Sequence, residues 1–189
     1  MIVENMMFEC GVPFSRIRKK LYGIRYLFVT HSHSDHLNQK TFDSIIKNFP
    51  RIKTIANWHV NYKVPINNIV GSESVIKFTD RTVTSFDCVH DIPTTGFVVD
   101  GGGIKLIYAT DTSTLDNAPK LQYDYFFIES NHDESKINEI RNESDKYGYD
   151  AWKGAMRHLS TQKSKAFYYT NRKSEESKWI ELHKSERFY

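Results

Sequence analysis

The stretch Thr30-His31-Ser32-His33-Ser34-Asp35-His36 places three histidines and one carboxylate within six residues. It directly follows Tyr26-Leu27-Phe28-Val29, a short apolar run that reads as a buried strand. A strand that ends in a His-x-His-x-Asp-His loop aims several nitrogen and oxygen atoms at one place. Imidazole suits zinc, copper, iron and nickel, and a carboxylate adds tolerance for harder ions such as manganese. The plain alternative is a polar loop that is rich in histidine by chance. The chain has 8 His in all, so three in six residues is heavy clustering and argues against chance. Four ligands are also too many for one tetrahedral ion that keeps an open position.

Working outward, four further segments bring metal-competent side chains to the ends of elements. Val89-His90-Asp91 follows an expected strand Thr82 to Cys88, and Thr110-Asp111-Thr112 follows Ile104 to Ala109. Glu129-Ser130-Asn131-His132-Asp133 closes the aromatic and aliphatic run from Tyr123, and Arg157-His158-Leu159 precedes a helix. Each is weak alone, because a lone histidine is more often a packing or surface residue. Their coincidence with the histidine loop raises them together, since a metal pair draws ligands from several strand ends.

The rest of the chain supplies a scaffold. At 189 residues it is long enough to bury a core in one domain, residues 1–189. Hydrophobic content of 39% and charged content of 26% are ordinary for a globular chain. The net charge of +3 permits an anionic substrate without demanding one. No stretch has the length of a membrane span, and Met1 to Glu9 lacks the basic start of a secretory signal. Cys10 and Cys88 suit free thiols, so the expected location is cytoplasmic. Strands are expected at Met6–Cys10, Ile24–Thr30, Ile52–Ala56, Ser74–Thr79, Thr82–Val89, Gly96–Asp100, Ile104–Ala109, Tyr123–Glu129 and Trp179–Leu182. Asp100-Gly101-Gly102-Gly103 predicts a hairpin, and Pro65–Gly71 reads as a connector. Helices are expected over Arg16–Leu21 with Ser15 as cap, over Thr41–Asn48, within His132–Tyr147, and over Thr161–Arg172 with Ser160 as cap. The basic cluster Arg16, Arg18, Lys19 and Lys20 reads as a solvated face, with a phosphate-facing role as the sharper alternative. The tail from His183 to Tyr189 simply ends the last strand, or reaches a neighbouring site through Lys184 or Arg187. His59 reads as an ordinary surface or packing residue.

On the His31-x-His33-x-Asp35-His36 signature, followed by His90, Asp111 and His158, the chain resembles the metallo-β-lactamase-fold hydrolases. The segments Ala-Thr-Asp111-Thr, Glu-Ser-Asn-His132-Asp and Arg-His158-Leu-Ser look like the small bacterial and phage nuclease-like branch related to ribonuclease Z. The resemblance implies an α+β, four-layer αββα sandwich. It implies two divalent ions, zinc or manganese: one on His31, His33 and His90, the other on Asp35, His36 and His158, with Asp111 bridging. A carboxylate at Asp111 argues against the two-zinc β-lactamases, many of which place cysteine there. The family usually opens with further strands before the segment matching Met6 to Val12, so the first sheet is expected to be short. An open strand edge is a pairing hazard, which makes a homodimer the expectation.

The implied activity is hydrolysis of a phosphodiester, with a nuclease acting on DNA or RNA first. Asp35 and His132 are the expected catalytic residues, His132 as general acid to the leaving oxygen. Asp91, Asp133 or backbone carbonyls are expected to hold the far nitrogens of the histidines. A cyclic-nucleotide or small-nucleotide phosphodiesterase is the next reading. A lactonase or thioesterase-type hydrolase and a non-catalytic metal-stabilised module follow. No membrane partner is expected.

Overall fold

Short strands that leave little room for polar residues build the first sheet. The computed structural model describes residues 1–141 and 150–189. The chain divides into two compact units, Met1–Ser72 and Glu73–Tyr189. The first carries β1 (Ile2–Val3), β2 (Met6–Phe8), α1 (Phe14–Ile17), a 3-10 helix (Arg18–Gly23), β3 (Tyr26–Val29), α2 (Gln39–Asn48), β4 (Lys53–Asn57), α3 (Trp58–Asn61) and β5 (Asn68–Val70). Its sheet runs β1-β2-β3-β4-β5, parallel throughout except for the antiparallel pair β1–β2. Parallel neighbours need a crossover, and α2 provides it between β3 and β4. Phe42 and Ile45 of α2 are fully buried against Leu27, Val29 and Ala56. Every side chain of β3 is buried, as its unbroken apolar run requires of a central parallel strand.

Three local expectations change here. Pro65–Gly71 is not only a connector: Ala56 pairs with Ile69, so β5 extends the sheet. Three residues are too few to show a period. The first helix starts after Pro13 rather than Ser15 and gives way to the 3-10 turn at Arg18, because Pro13 presets the helical entry without a side-chain cap. Ile2 and Val3 form a strand on the outer side of β2. That strand covers the β2 edge and becomes the outer strand of the sheet itself.

The second unit carries β6 (Val75–Lys77), β7 (Thr82–Cys88), β8 (Thr94–Gly101), β9 (Ile104–Ala109), β10 (Tyr125–Glu129), α4 (Glu134–Glu139), α5 (Ala151–Ala155), α6 (Thr161–Asn171) and β11 (Lys178–Leu182). Its sheet runs β11-β10-β9-β8-β7-β6. β6 to β9 are antiparallel, and β9, β10 and β11 are parallel. The β8–β9 hairpin turns at Gly102 and Gly103, whose φ of +63° and +79° is the pair of left-handed values a two-residue hairpin demands. Tyr123, Phe126 and Phe127 are core residues, with Phe126 packed edge-on to Phe167 of α6. Ser160 caps α6 by accepting from the Lys163 amide, as expected. Asp133 caps α4, and residues 142–147 of the expected His132–Tyr147 helix lie outside the described residues. Cys10 and Cys88 are free and buried. Among the described residues, no helix is long and apolar enough to cross a membrane.

One buried amide ties the first sheet to the histidine loop. Asn57 donates from Nδ2 to the Thr30 carbonyl at 3.0 Å and caps α3 by accepting from the Val60 amide at 3.0 Å. Asn57→Ala removes both and is expected to cost about 1–3 kcal/mol, read as a lower denaturant midpoint at unchanged m-value; an unchanged midpoint would show that water replaces both bonds.

Candidate metal centre

In the first unit β3 ends at Val29, and the chain turns sharply at its C-terminal end. The Thr30 hydroxyl and His31 Nδ1 share a hydrogen bond of 2.8 Å, which turns His31 Nε2 toward His33 Nδ1, 3.0 Å away. The His36 and Leu37 amides both donate to the His33 carbonyl, closing the loop into one tight turn. The His31 and His36 rings stand 4.2 Å apart. His31 and His36 are buried, while the Asp35 side chain is 67% exposed with a carboxylate oxygen 3.3 Å from His36 Nε2. His59 is more than surface filling: its Nδ1 lies 3.3 Å from the Ser32 hydroxyl. The loop therefore brings His31, His33, Asp35 and His36 together as the sequence implied.

Two further groups shape that loop. Glu9, in the left-handed region at φ +66°, accepts weakly from the Thr30 amide and lies 3.7 Å from His36 Nδ1. Gly11 packs against the loop backbone so closely that a Cβ there would stand 1.7 Å from the Asp35 carbonyl oxygen.

In the second unit the strand ends converge on one carboxylate. Glu129, the last residue of β10, is 0% exposed. Its Oε2 accepts from the Thr112 and Leu159 amides at 2.8 and 3.3 Å. Its Oε1 accepts from Nδ1 of His158 at 2.7 Å and of His183 at 2.8 Å. Burial alone would push this carboxyl up, but the hydrogen bonds from His158 and His183 outweigh it and hold the pKa below the ordinary value. A carboxylate on Nδ1 sets the tautomer and leaves Nε2 of each ring for a metal or a substrate.

Asp111 follows β9 with φ +53°, a left-handed value that aspartate tolerates better than most residues. Thr110 donates its hydroxyl to Asp111 Oδ2 at 2.9 Å. Asp111 Oδ1 lies 3.2 Å from His183 Nδ1, 3.8 Å from His158 Nδ1 and 3.9 Å from His90 Nε2. Asp111, Glu129, His158 and His183 offer ligand atoms that all lie within 4.8 Å of one another. Such a donor set, imidazole with carboxylate, fits zinc or manganese. Asp91 lies 3.0 Å from His90 Nε2, the nitrogen that also faces Asp111, so it does not hold the far nitrogen as expected, and Asp133 is spent on the cap of α4. Glu129 does the task expected of Asp133.

His132 is 1% exposed, and among the described residues its Nδ1 has no hydrogen-bond partner. Burial lowers its pKa, so the ring is neutral near pH 7. It lines a cavity of about 140 Å³ together with His158, Ser160 and Lys163. Sequence reasoning missed His183 and the organising part of Glu129. His183 directly follows β11, so the rule that found His90 and Asp111 applies to it equally. Reading the tail as a strand end hid it. Lys184 does not reach into the cluster: it pairs with Glu181 at 2.8 Å and lies over the Tyr189 ring.

The profile of the beta-lactamase superfamily domain matches residues 2–137, and the chain belongs to that superfamily. Solved structures of the same fold include the short form of human tRNase Z, 16% identical with a TM-score of 0.67, covering 99% of this chain and 85% of that one. The metallo-β-lactamase-fold protein YhfI from Bacillus subtilis is 13% identical with a TM-score of 0.67, over 96% of this chain and 74% of that one. A diphosphatase of the PhnP family is 16% identical with a TM-score of 0.60, over 97% and 69%. No curated protein matches by sequence. The two sheets and the mixed α and β content are those of the metallo-β-lactamase fold.

Gly11→Ala is expected to push the Asp35–His36 backbone aside, lowering both the melting temperature and the zinc affinity; a zinc titration identical to the parent chain would show that the loop yields without cost. The pKa of Glu129 gives a second expectation. Its folded value is depressed, so its stabilisation is present above the ordinary carboxyl value of 4.5 and is lost as pH falls through the lower folded value. Acid denaturation of the metal-free chain should thus be shallower in Glu129→Gln than in the parent, as read by melts across the acid range.

Proposed function

We propose that the chain is a metal-dependent phosphodiester hydrolase, a nuclease acting on DNA or RNA. The observation that carries this reading is the cluster of Asp111, His158 and His183 built on the buried Glu129. Membership of the superfamily supports it, and so does the presence of a tRNase Z and a diphosphatase among structures of the same fold. His31, His33, Asp35 and His36 from the first unit, with His90, Asp111 and His183 from the second, would hold two zinc or manganese ions. Such ions, when bound, lower the pKa of water and offset charge on the transferring phosphoryl group.

The protein's own groups prepare that chemistry. Thr110 holds Asp111 Oδ2, which leaves Oδ1 directed at the histidines. Glu129 holds Nδ1 of both His158 and His183, so each presents Nε2. His183 lies nearer Asp111 than His158 does and takes the ligand position that the resemblance gave to His158. His158 then donates the proton to the leaving oxygen, with Glu129 stabilising its imidazolium form. His132, buried and neutral, lines the cavity beside His158 and packs that side of the site.

The test uses purified chain with zinc or manganese, assayed on single-stranded DNA, RNA, a cyclic nucleotide and a simple ester. Cleavage of an oligonucleotide is expected, and Asp111→Ala should abolish it. His158→Ala should lower kcat by about 10²–10⁴-fold at unchanged metal content, while His183→Ala should lose metal. Full turnover by His33→Ala, or no turnover by a chain loaded with both ions, would sink the reading. A preference for the cyclic nucleotide or the ester would move the substrate class and keep the site.

A further inference from the structure

The single turn α3 has two faces. Val60 and Val64, four residues apart, are buried in the core of the first unit. Trp58 and Tyr62 share the same spacing but are offset by two residues, so they lie on the outward side. The Tyr62 amide donates to the Trp58 carbonyl at 3.3 Å and fixes that spacing. The two side chains are 53% and 79% exposed. Their rings meet edge to face, with centroids 5.6 Å apart and planes at 90°. Each ring restricts the other, so a ligand that stacks there freezes less side-chain freedom.

The pair stands at the strand end that carries the histidine loop. α3 follows β4 directly, and β4 runs parallel to β3 with Ala56 beside Val29. The Trp58 and His59 ring centroids are 5.6 Å apart, and His59 Nδ1 lies 3.3 Å from the hydroxyl of Ser32, the residue between His31 and His33. On the other side Lys63 follows Tyr62, and its carbonyl accepts from Gln39 Nε2 at 3.4 Å, which brings the start of α2 alongside. Lys40 and Lys63 are exposed, and neither makes an ion pair among the described residues.

The size of the patch selects its occupant. Two aromatic rings offer about 300–500 Å², below the roughly 800 Å² per partner of a stable protein interface. The residues around them, Ser32, Gln39 and Lys63, are polar and do not extend an apolar face of the kind that enters a bilayer. A flat base on an anionic backbone uses both the rings and the lysines, and base stacking on aromatic side chains beside cations is the general pattern of single-strand recognition. We propose that Trp58 and Tyr62 form a stacking platform for a base of a single-stranded nucleic acid, the base that flanks the phosphate held at the histidine loop, with Lys63 meeting the backbone. This rests on the phosphodiester-hydrolase reading and narrows its substrate to a single strand, because a duplex hides the faces of its bases.

The test measures the affinity of the whole zinc-loaded chain for phosphorothioate penta-adenylate, which resists cleavage, and for an abasic phosphorothioate strand of equal charge. Penta-adenylate is expected to bind more tightly by between about fivefold and a hundredfold. Trp58→Ala and Tyr62→Ala, both at exposed positions, should each move penta-adenylate toward the abasic affinity at unchanged melting temperature. Trp58→Phe should keep most of the affinity and lose the quenching of tryptophan emission that stacking on Trp58 gives. Equal affinity for the two strands, or a Trp58→Ala chain that binds like the parent, would overturn the proposal. A parent dimer that Trp58→Ala makes monomeric in sedimentation, or binding to phosphatidylserine vesicles that Trp58→Ala abolishes, would assign the rings to another occupant and overturn it as well. Cleavage of unmodified oligonucleotide is read separately. Cleavage with no effect of Trp58→Ala on binding keeps the hydrolase reading and removes the platform, and binding that needs Trp58 without cleavage does the reverse.

Discussion

The second unit depends on one buried carboxylate. Glu129 has no access to water, yet it accepts four hydrogen bonds, two from backbone amides and two from imidazoles. A buried charge is costly unless it is paired and hydrogen-bonded, and these four partners meet that requirement. Their origin gives the carboxylate its organising effect. Thr112 follows β9, the adjacent His158 and Leu159 precede α6, and His183 follows β11. Satisfying Glu129 therefore draws three stretches of chain to the end of β10. Asp111 sits next to Thr112, so the bond from the Thr112 amide also fixes where the left-handed Asp111 places its carboxylate.

The first unit solves a similar problem by packing and not by charge. β3 is buried on both faces, so its end can move little, and Asn57 fastens the Thr30 carbonyl that opens the loop. Gly11 then lets a second backbone pass against Asp35 at a distance no side chain permits. The histidines need not be aimed one at a time. A short rigid strand, one amide and one glycine place His31, His33 and His36 in a single turn.

Much of this is legible in the amino-acid sequence. The His-x-His-x-Asp-His loop, His90, Asp111 and the strand each follows could be read because a buried strand writes a continuous apolar run, and a ligand at its end interrupts that run abruptly. The β8–β9 hairpin was legible because Gly102 and Gly103 supply a backbone conformation other residues resist. Less visible was anything that rests on pairing across long separations. β1 and β5 are two and three residues long and exist only because a neighbouring strand receives them. Glu129 resembled one more acid at a strand end, and its four donors come from three segments far apart in sequence. His183 was readable by the same strand-end rule as His90, but the polar tail after it looked like a simple terminus. Trp58 and Tyr62 are spaced as one helical turn, but only the fold shows that both rings face outward beside the histidine loop.

The proposal that gives all of this a purpose is that the histidine loop and the Asp111 cluster serve one binuclear centre. X-ray absorption on the whole chain loaded with zinc, together with metal analysis of the same sample, addresses it most directly. Two zinc ions per chain, with metal–metal scattering at about 3.5–4 Å, are predicted. A single ion per chain, or two ions with no metal–metal scattering, would contradict it.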